Sequence, residues 1–253
     1  MKTVNDVLLM YRRNMTHTLR NPVYVFVNLF MPMLYLFLFM PLLQNLGGVP
    51  GIPEGETIRV FIPGLLVMLG IFGPIFVGFN IIDEIRTGVI ERFLVTPVSR
   101  SAILLGMIFK DVTVYMAQCT IITLIAIPMG LKLNLLGFLL ALPMYALIAV
   151  TMASLSYSLG IILKIEDSLA PALNMIAMPA MLLSGIMLPL ALAPPWLQTL
   201  AKLNPLSYAV DASRMLFMGT YGNVEILEGY AIIAVFAVIM FKWSTRSLSK
   251  MAE

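Results

Sequence analysis

Residues 135–163 read LLGFLLALPMYALIAVTMASLSYSLGIIL, a run without a single Asp, Glu, Lys or Arg. A helix that crosses the hydrocarbon core of a bilayer needs roughly 20 apolar residues. Leu135–Leu163 exceeds that length and has room to tilt or to extend beyond the lipid. A run this long and this apolar predicts a membrane-spanning helix, and the rest of the chain agrees with it. Of 253 residues, 60% are hydrophobic and 11% are charged, whereas a soluble domain carries about 25% charged residues. Too little polar surface remains to cover such a chain in water.

Working outward from this run, five further apolar segments stand in the sequence. Upstream are Val23–Leu43, Val60–Ile82 and a third with its core at Val112–Leu131; downstream are Leu169–Leu190 and Ile226–Trp243. The expectation is an all-α integral membrane protein with six transmembrane helices, forming one membrane domain over residues 1–253. Pro32, Pro74, Pro143 and Pro179 lie inside the segments and predict kinks that neighbouring helices must accommodate. Cys119 sits in an apolar run as the one cysteine, so it reads as a small buried hydrophobe. The first apolar run begins too late, and is too long, to resemble a cleavable signal peptide. No repeat of 20–50 residues is apparent.

Ahead of the first segment, Thr3–Arg20 is amphipathic. Val4, Val7, Leu8, Tyr11, Met15 and Leu19 recur at helical spacing, with Asp6, Arg12, Arg13, His17 and Arg20 on the other sides. This pattern predicts a helix lying in the membrane interface over residues 1–22, broken by Asn21-Pro22. Lys and Arg then set the orientation. With the N-terminus inside, the inner segments hold Lys2, Arg12, Arg13, Arg20, Arg86, Arg92, Arg100, Lys110, Lys164, Lys242, Arg246 and Lys250. The outer segments hold Arg59, Lys132, Lys202 and Arg214. This excess places both termini in the cytoplasm.

Several classes fall away. The net charge of +3 is small and scattered, so nucleic-acid binding is not expected. Gly-Lys never occurs, so no phosphate loop for ATP is present on this chain. One His and one Cys are too few for a metal centre, and no catalytic elbow or zinc helix motif appears. Catalytic residues and metal ligands are therefore expected to be none. The helix centres read as free of Asp, Glu, Lys and Arg, which speaks against an ion-coupled carrier. A membrane-embedded enzyme would need convergent acids and bases, and only Asp83, Glu84 and Glu91 are loose candidates. A structural anchor stands as a third alternative. Asn28, Asn80, Gln118, Asn174, Tyr115, Tyr145 and Tyr157 are neutral polar groups in the spans, suited to hydrogen bonds between helices. Ala149, Ala153, Ser156 and Gly160 form small steps suited to close packing.

Two connections carry more than a link requires. Asp83–Arg100, DEIRTGVIERFLVTPVSR, is the most charged stretch and falls on the inner side. Its middle is helix-compatible with Pro97 marking an end, and Glu84, Gly88 and Glu91 would share one helical face. Ile85, Val89, Ile90, Phe93 and Leu94 give it an apolar side that a solvated loop has no need for. It reads as a docking helix for a cytoplasmic partner. Residues 189–223 form a long outer connection that is rich in Leu and proline, and is expected to dip back into the membrane. Asp211 and Arg214, one turn apart there, are expected to pair.

This layout resembles the type-2 ABC transporter permeases, including the daunorubicin-type multidrug efflux permeases. The first motif is E-x-x-x-G-x-x-E-R-F-x-x-T-P-x-S-R, here Glu84, Gly88, Glu91, Arg92, Phe93, Thr96, Pro97, Ser99 and Arg100. The second runs from Pro189 through Pro194, Pro195 and Trp196 to Asn204, Pro205, Leu206, Tyr208, Asp211 and Arg214. The resemblance implies a transport subunit, not an enzyme, in the plasma membrane of a prokaryote, paired with an ABC ATPase subunit that carries MgATP, and with a second permease copy. It implies that residues 83–101 couple to the ATPase through Glu84, Arg86, Gly88, Glu91, Arg92, Phe93 and Pro97. It implies a substrate path along the second and fifth spans, at Phe72, Phe76, Asn80, Asn174, Met175 and Met178. It implies an outer gate at Pro189, Trp196, Asn204, Pro205, Tyr208, Asp211 and Arg214. The apolar, Met-rich walls suit a hydrophobic or amphipathic drug or lipid; the same class also exports polysaccharides.

Overall fold

The structure, a computed structural model, describes residues 2–20, 29–30, 32–38, 56–96, 98–186 and 193–251. Among the described residues there are helices and no strands. In chain order the helices are α1 (Lys2–Leu19), α2 (Thr57–Ile75), α3 (Gly78–Arg86), α4 (Val89–Leu94) and α5 (Arg100–Ala126), then α6 (Leu135–Leu163), α7 (Glu166–Leu182), α8 (Pro195–Ala201), α9 (Pro205–Met218) and α10 (Val224–Lys250). Residues 29–30 and 32–38 are helical as well.

Four of these are long and apolar enough to cross a membrane: α2 with α3, α5, α6 and α10. The charge-free run becomes α6 with the bounds expected of it. Local chemistry sets those ends. The Asn134 side chain accepts from Gly137 N–H at 3.1 Å and caps the start. At the other end Lys164 turns to φ 57°, its N–H donating to Gly160 O at 3.0 Å. Most of the expected first span, Val23–Leu43, lies outside the described residues. The expected fifth span is represented by α7, which starts at Glu166 and closes at Leu182.

The core surrounds α6. Met144, Tyr145, Ile148 and Ala149 meet Leu65, Leu66 and Leu69 of α2, Tyr115 and Cys119 of α5, Leu173 of α7, and Val210 and Phe217 of α9. Cys119 is fully buried, as expected. Tyr115 donates from its hydroxyl to Leu66 O at 2.7 Å, one of the expected interhelical bonds. The most apolar window of the α2–α3 span is 78% buried against the rest of the chain; that of α10 is 22% buried. Leu227, Val235, Val238 and Ile239 accordingly leave α10 with a broad apolar face suited to lipid.

Pro74 breaks the second span where a kink is expected. Proline has no N–H for the carbonyl four residues back, and α2 stops at Ile75. The chain resumes as α3 after a tightened turn, with Phe79 N–H on Phe76 O (3.2 Å) and Asn80 N–H on Val77 O (3.0 Å). Ser156 of α6 fills the gap. Its hydroxyl accepts from Gly78 N–H at 2.8 Å and donates to Ile75 O. The expected small-residue steps on α6 are all buried, and Gly160 lies against the Gly78 carbonyl.

Two expectations are corrected. The loop after the second span is not one helix with Glu84, Gly88 and Glu91 on a face. Gly88 takes φ 70°, a left-handed conformation that ends α3 and restarts the chain as α4, so Glu84 and Glu91 stand on different helices. The spans are also not free of buried charge. The third expected span, α5, begins at Arg100, well ahead of the apolar core read from the sequence, and thereby takes in Lys110 and Asp111, both 6% exposed.

Candidate functional site

The most charged stretch of the sequence comes to rest at one end of the bundle, beside α1, the start of α5, the end of α6 and the end of α10. Ile90 is fully buried, packed with Val77, Ile81, Ile103, Leu104, Met107 and Tyr157. Ile85, Phe93 and Val98 pack against the same cluster. The apolar side of the loop is thus consumed within the chain. Glu91, Arg92, Val95 and Thr96 face outward, and Glu91 and Arg92 make no ion pair among the described residues. Pro97 lies outside the described residues. Ser99 accepts from Ala102 N–H at 3.3 Å and starts α5.

Three links tie the loop to its neighbours. Arg13 of α1 pairs with Glu84 at 2.9 Å and lies 5.0 Å from the Phe93 ring centroid, within cation–π range. Arg86 pairs with Glu166 at the start of α7 at 2.5 Å. Arg100 donates to Ser249 O near the end of α10 at 3.3 Å. α1 is itself pressed onto α5 through Met10, Asn14 and Thr18. It approaches so closely at Gly106 that a Cβ there would overlap Met10. Of the apolar stripe expected to meet the membrane, Val4, Leu8 and Leu19 are more than half exposed, and Val7, Tyr11 and Met15 are partly buried.

Behind the loop, Asp111 accepts from Lys110 on one oxygen and from the Tyr157 hydroxyl on the other, at 2.5 Å. The carboxylate is therefore compensated inside the protein, and it bridges α5 to α6. Its presence removes the ground on which the sequence set aside an ion-coupled carrier. The signal available was the Lys-Asp dipeptide at the upstream edge of an apolar run. Nothing in the spacing foretold Arg13 or Ser156 as partners.

The opposite end is closed differently. Arg214 donates to Val60 O (3.2 Å), Gly185 O (2.8 Å) and Ile186 O (3.2 Å), with Asp211 at 3.7 Å. The expected Asp211–Arg214 pair is present, but three backbone carbonyls hold the guanidinium. Arg59 bonds Phe217 O and Glu56, each at 2.9 Å. Asn204 caps α9 through Leu206 N–H at 3.1 Å and donates to Ala180 O at 2.6 Å, with Pro205 next to it opening the helix. Tyr208 donates to Lys202 O at 3.1 Å. Asn204, Pro205, Tyr208, Asp211 and Arg214 therefore form one region, whereas Trp196 is 64% exposed on α8 and Pro189 lies outside the described residues.

Of the residues named for a substrate path, Phe72 falls on α2, Phe76 in the break after it, Asn80 on α3, and Asn174, Met175 and Met178 on α7, which contacts both α2 and α3. Phe72 and Asn174 are half-buried; Phe76, Asn80, Met175 and Met178 are exposed. Phe76, Met175 and Met178 present apolar surface, whereas Asn80 lines a polar cavity beside α1 with Arg12, Arg13, Asp83 and Glu84. Among the described residues no group of His, Cys, Asp and Glu could hold a metal ion.

The ABC-2 type transporter family model matches residues 5–218. The chain is 23% identical over 227 residues to the daunorubicin resistance ABC transporter permease protein DrrB1 of Streptomyces coeruleorubidus, covering 87% of this chain and 79% of that protein. It is 25% identical over 216 residues to the putative transport permease ycf38 of Cyanophora paradoxa, 85% of this chain and 74% of that one. It is 27% identical over 163 residues to the probable multidrug ABC transporter permease YbhR of Escherichia coli, 62% of this chain and 43% of that one.

Proposed function

Because the chain belongs to the ABC-2 type transporter family, we propose that it is the membrane-spanning permease subunit of an ATP-driven exporter that moves a hydrophobic or amphipathic compound out of the cytoplasm. Its expected site is the plasma membrane of a prokaryote, with both termini inside. ATP hydrolysis belongs to a separate ABC ATPase subunit that binds MgATP, and a second copy of the permease completes the path. The observation that carries this reading is the division of labour in residues 83–101. Their apolar side is anchored in the chain, while Glu91, Arg92, Val95 and Thr96 stand free at the end where basic residues gather.

In this mechanism the ATPase subunits move together on binding ATP and push on the outward side of α4. The loop passes the push to α1 through Glu84–Arg13 and to α7 through Arg86–Glu166. The break at Phe76–Val77 lets the α3–α4 unit tilt without dragging all of α2. A ligand drives such a switch only by contacting its two states differently, so the lever is the free charge of Glu91 and Arg92. The cargo meets the exposed Phe76, Met175 and Met178, whose polarizable surface accommodates varied apolar shapes. The names of two relatives, one a daunorubicin resistance permease and one a probable multidrug permease, favour this cargo class.

The test is the double variant Glu91→Ala with Arg92→Ala, co-expressed with the ATPase partner and reconstituted in vesicles. Export of a hydrophobic cation should fall at least tenfold while ATP turnover persists and membrane insertion is unchanged. Undiminished export would overturn the coupling role.

A further inference from the structure

Between α1 and the loop after the second span lies a cavity of about 680 Å³ that the proposed cycle leaves unused. Its walls come from α1, from α3 and the start of α4, from α5, and from Tyr157 of α6. Four cations line it, Arg12, Arg13, Arg20 and Lys110, against two carboxylates, Asp83 and Glu84. Arg13 is engaged by Glu84 and Lys110 by Asp111. Arg12 and Arg20 are exposed, and they make no ion pair among the described residues.

An independent observation comes from Asn14, which lines the same cavity. It is 8% exposed, its carbonyl oxygen accepts from Arg13 at 3.3 Å, and its amide Nδ2 has no hydrogen-bond partner among the described residues. A buried donor without an acceptor is costly to maintain. Glu84 Oε2 in the same wall has no partner either among the described residues. An anion rich in oxygen supplies acceptors for the Asn14 amide and for two guanidinium groups, and one that keeps a proton also supplies a donor for that carboxylate oxygen. The exposed Val4, Leu8 and Leu19 on α1 place the cavity beside an apolar stripe fit for the interface, where acyl chains would continue from a headgroup.

We propose that this cavity binds the phosphate group of an anionic ligand, with Arg12, Arg20 and Asn14 as its donors. Two sources share that chemistry, the headgroup of an anionic phospholipid and a free phosphate from the cytoplasm. Since Arg13 touches both Asn14 and Glu84, an occupant sits next to the ion pair that ties α1 to the loop.

The experiment titrates the full chain in detergent with dioctanoyl phosphatidylglycerol, dioctanoyl phosphatidylcholine or inorganic phosphate, reading binding by microscale thermophoresis. The unmodified chain should bind phosphatidylglycerol, phosphate or both saturably, and at least tenfold more tightly than the zwitterionic lipid. Arg12→Gln with Arg20→Gln, both at exposed positions, should weaken that binding at least tenfold. Lys242→Gln with Arg246→Gln, which removes the same charge elsewhere, should change it less than twofold. Phosphatidylglycerol bound without phosphate identifies the headgroup as the source; phosphate bound as tightly as the lipid identifies the free anion. The proposal is overturned by no saturable binding, by equal affinity for phosphatidylcholine, by unchanged affinity in the first variant, or by an equal loss in the second.

Discussion

The two ends of the bundle are fastened by different chemistry. At the end that holds α1 and α4, helices are joined by two ion pairs between side chains, Arg13–Glu84 and Arg86–Glu166, and by one longer bond from Arg100 to Ser249 O, around a cavity and a break in the second span. At the other end each arginine pairs with a carboxylate on its own helix or cap but joins other helices through backbone, Arg214 to three carbonyls and Arg59 to a fourth. Partly exposed ion pairs contribute about 0–1 kcal/mol each and re-form easily with other partners. Guanidinium bonds to carbonyls in a protected site are worth roughly 1.5–3 kcal/mol, and breaking them strands the carbonyls. The contrast teaches which end is free to rearrange. In the proposed cycle one end would yield to a push, and the other would hold helices together while the first moves.

The largest effect is expected between the two ends. Asp111→Ala would leave Lys110 buried without its carboxylate and Tyr157 without its acceptor, a loss of about 3–5 kcal/mol. Thermal unfolding of the detergent-solubilised chain should show a midpoint lowered on the order of 10 °C, at roughly 2–4 °C per kcal/mol. A shift within error would mean that the pair lies in contact with water and is not structural. Next comes Arg214→Ala at the rigid end, which strands the carbonyls of Val60, Gly185 and Ile186. A loss of about 2–3 kcal/mol is expected by the same measurement. If this variant were as stable as the parent, the proposed difference between the ends would collapse.

The smallest stability effect belongs to the yielding end. Arg13→Gln with Glu84→Gln removes a pair whose side chains are 39% and 18% exposed. Unfolding should therefore shift by less than about 1 kcal/mol, while coupled transport should fall severalfold. Loss of stability comparable to that of Arg214→Ala would show that both ends are clamped alike.

Much of the architecture was legible beforehand, for reasons tied to lipid. Every backbone polar group in hydrocarbon must be paired within its own helix, so an uncharged run such as Leu135–Leu163 has one outcome, and α6 matches it residue for residue. Pro74 announced the break in the second span because a missing N–H is a local fact. The two motif regions also gathered at opposite ends, since the α2–α3 span separates Val60, which Arg214 bonds, from the loop that follows Arg86. The apolar residues of the charged loop were misattributed. Ile85, Ile90 and Phe93 read as a docking surface for another protein, and the fold uses them to seat the loop on α5 and α6. Periodicity reports that a face is buried but is silent about what buries it. Lys110 and Asp111 were assigned to the edge of a span because hydropathy averages over a window, and a compensated charge looks the same as a solvated one.

Composition and periodicity alone determined that this chain is a helical membrane protein, where its long helices lie, and which connections collect charge. These follow from the transfer of side chains between water and lipid, which depends on each residue and its near neighbours. Only the tertiary structure decided that Arg13 meets Glu84, that Ser156 mends the gap left by Pro74, that Tyr157 shares Asp111 with Lys110, and that Asn14 faces a cavity with an unmet donor. Those pairings join residues far apart in the chain, and the close packing of α1, α3, α5 and α6 selects them.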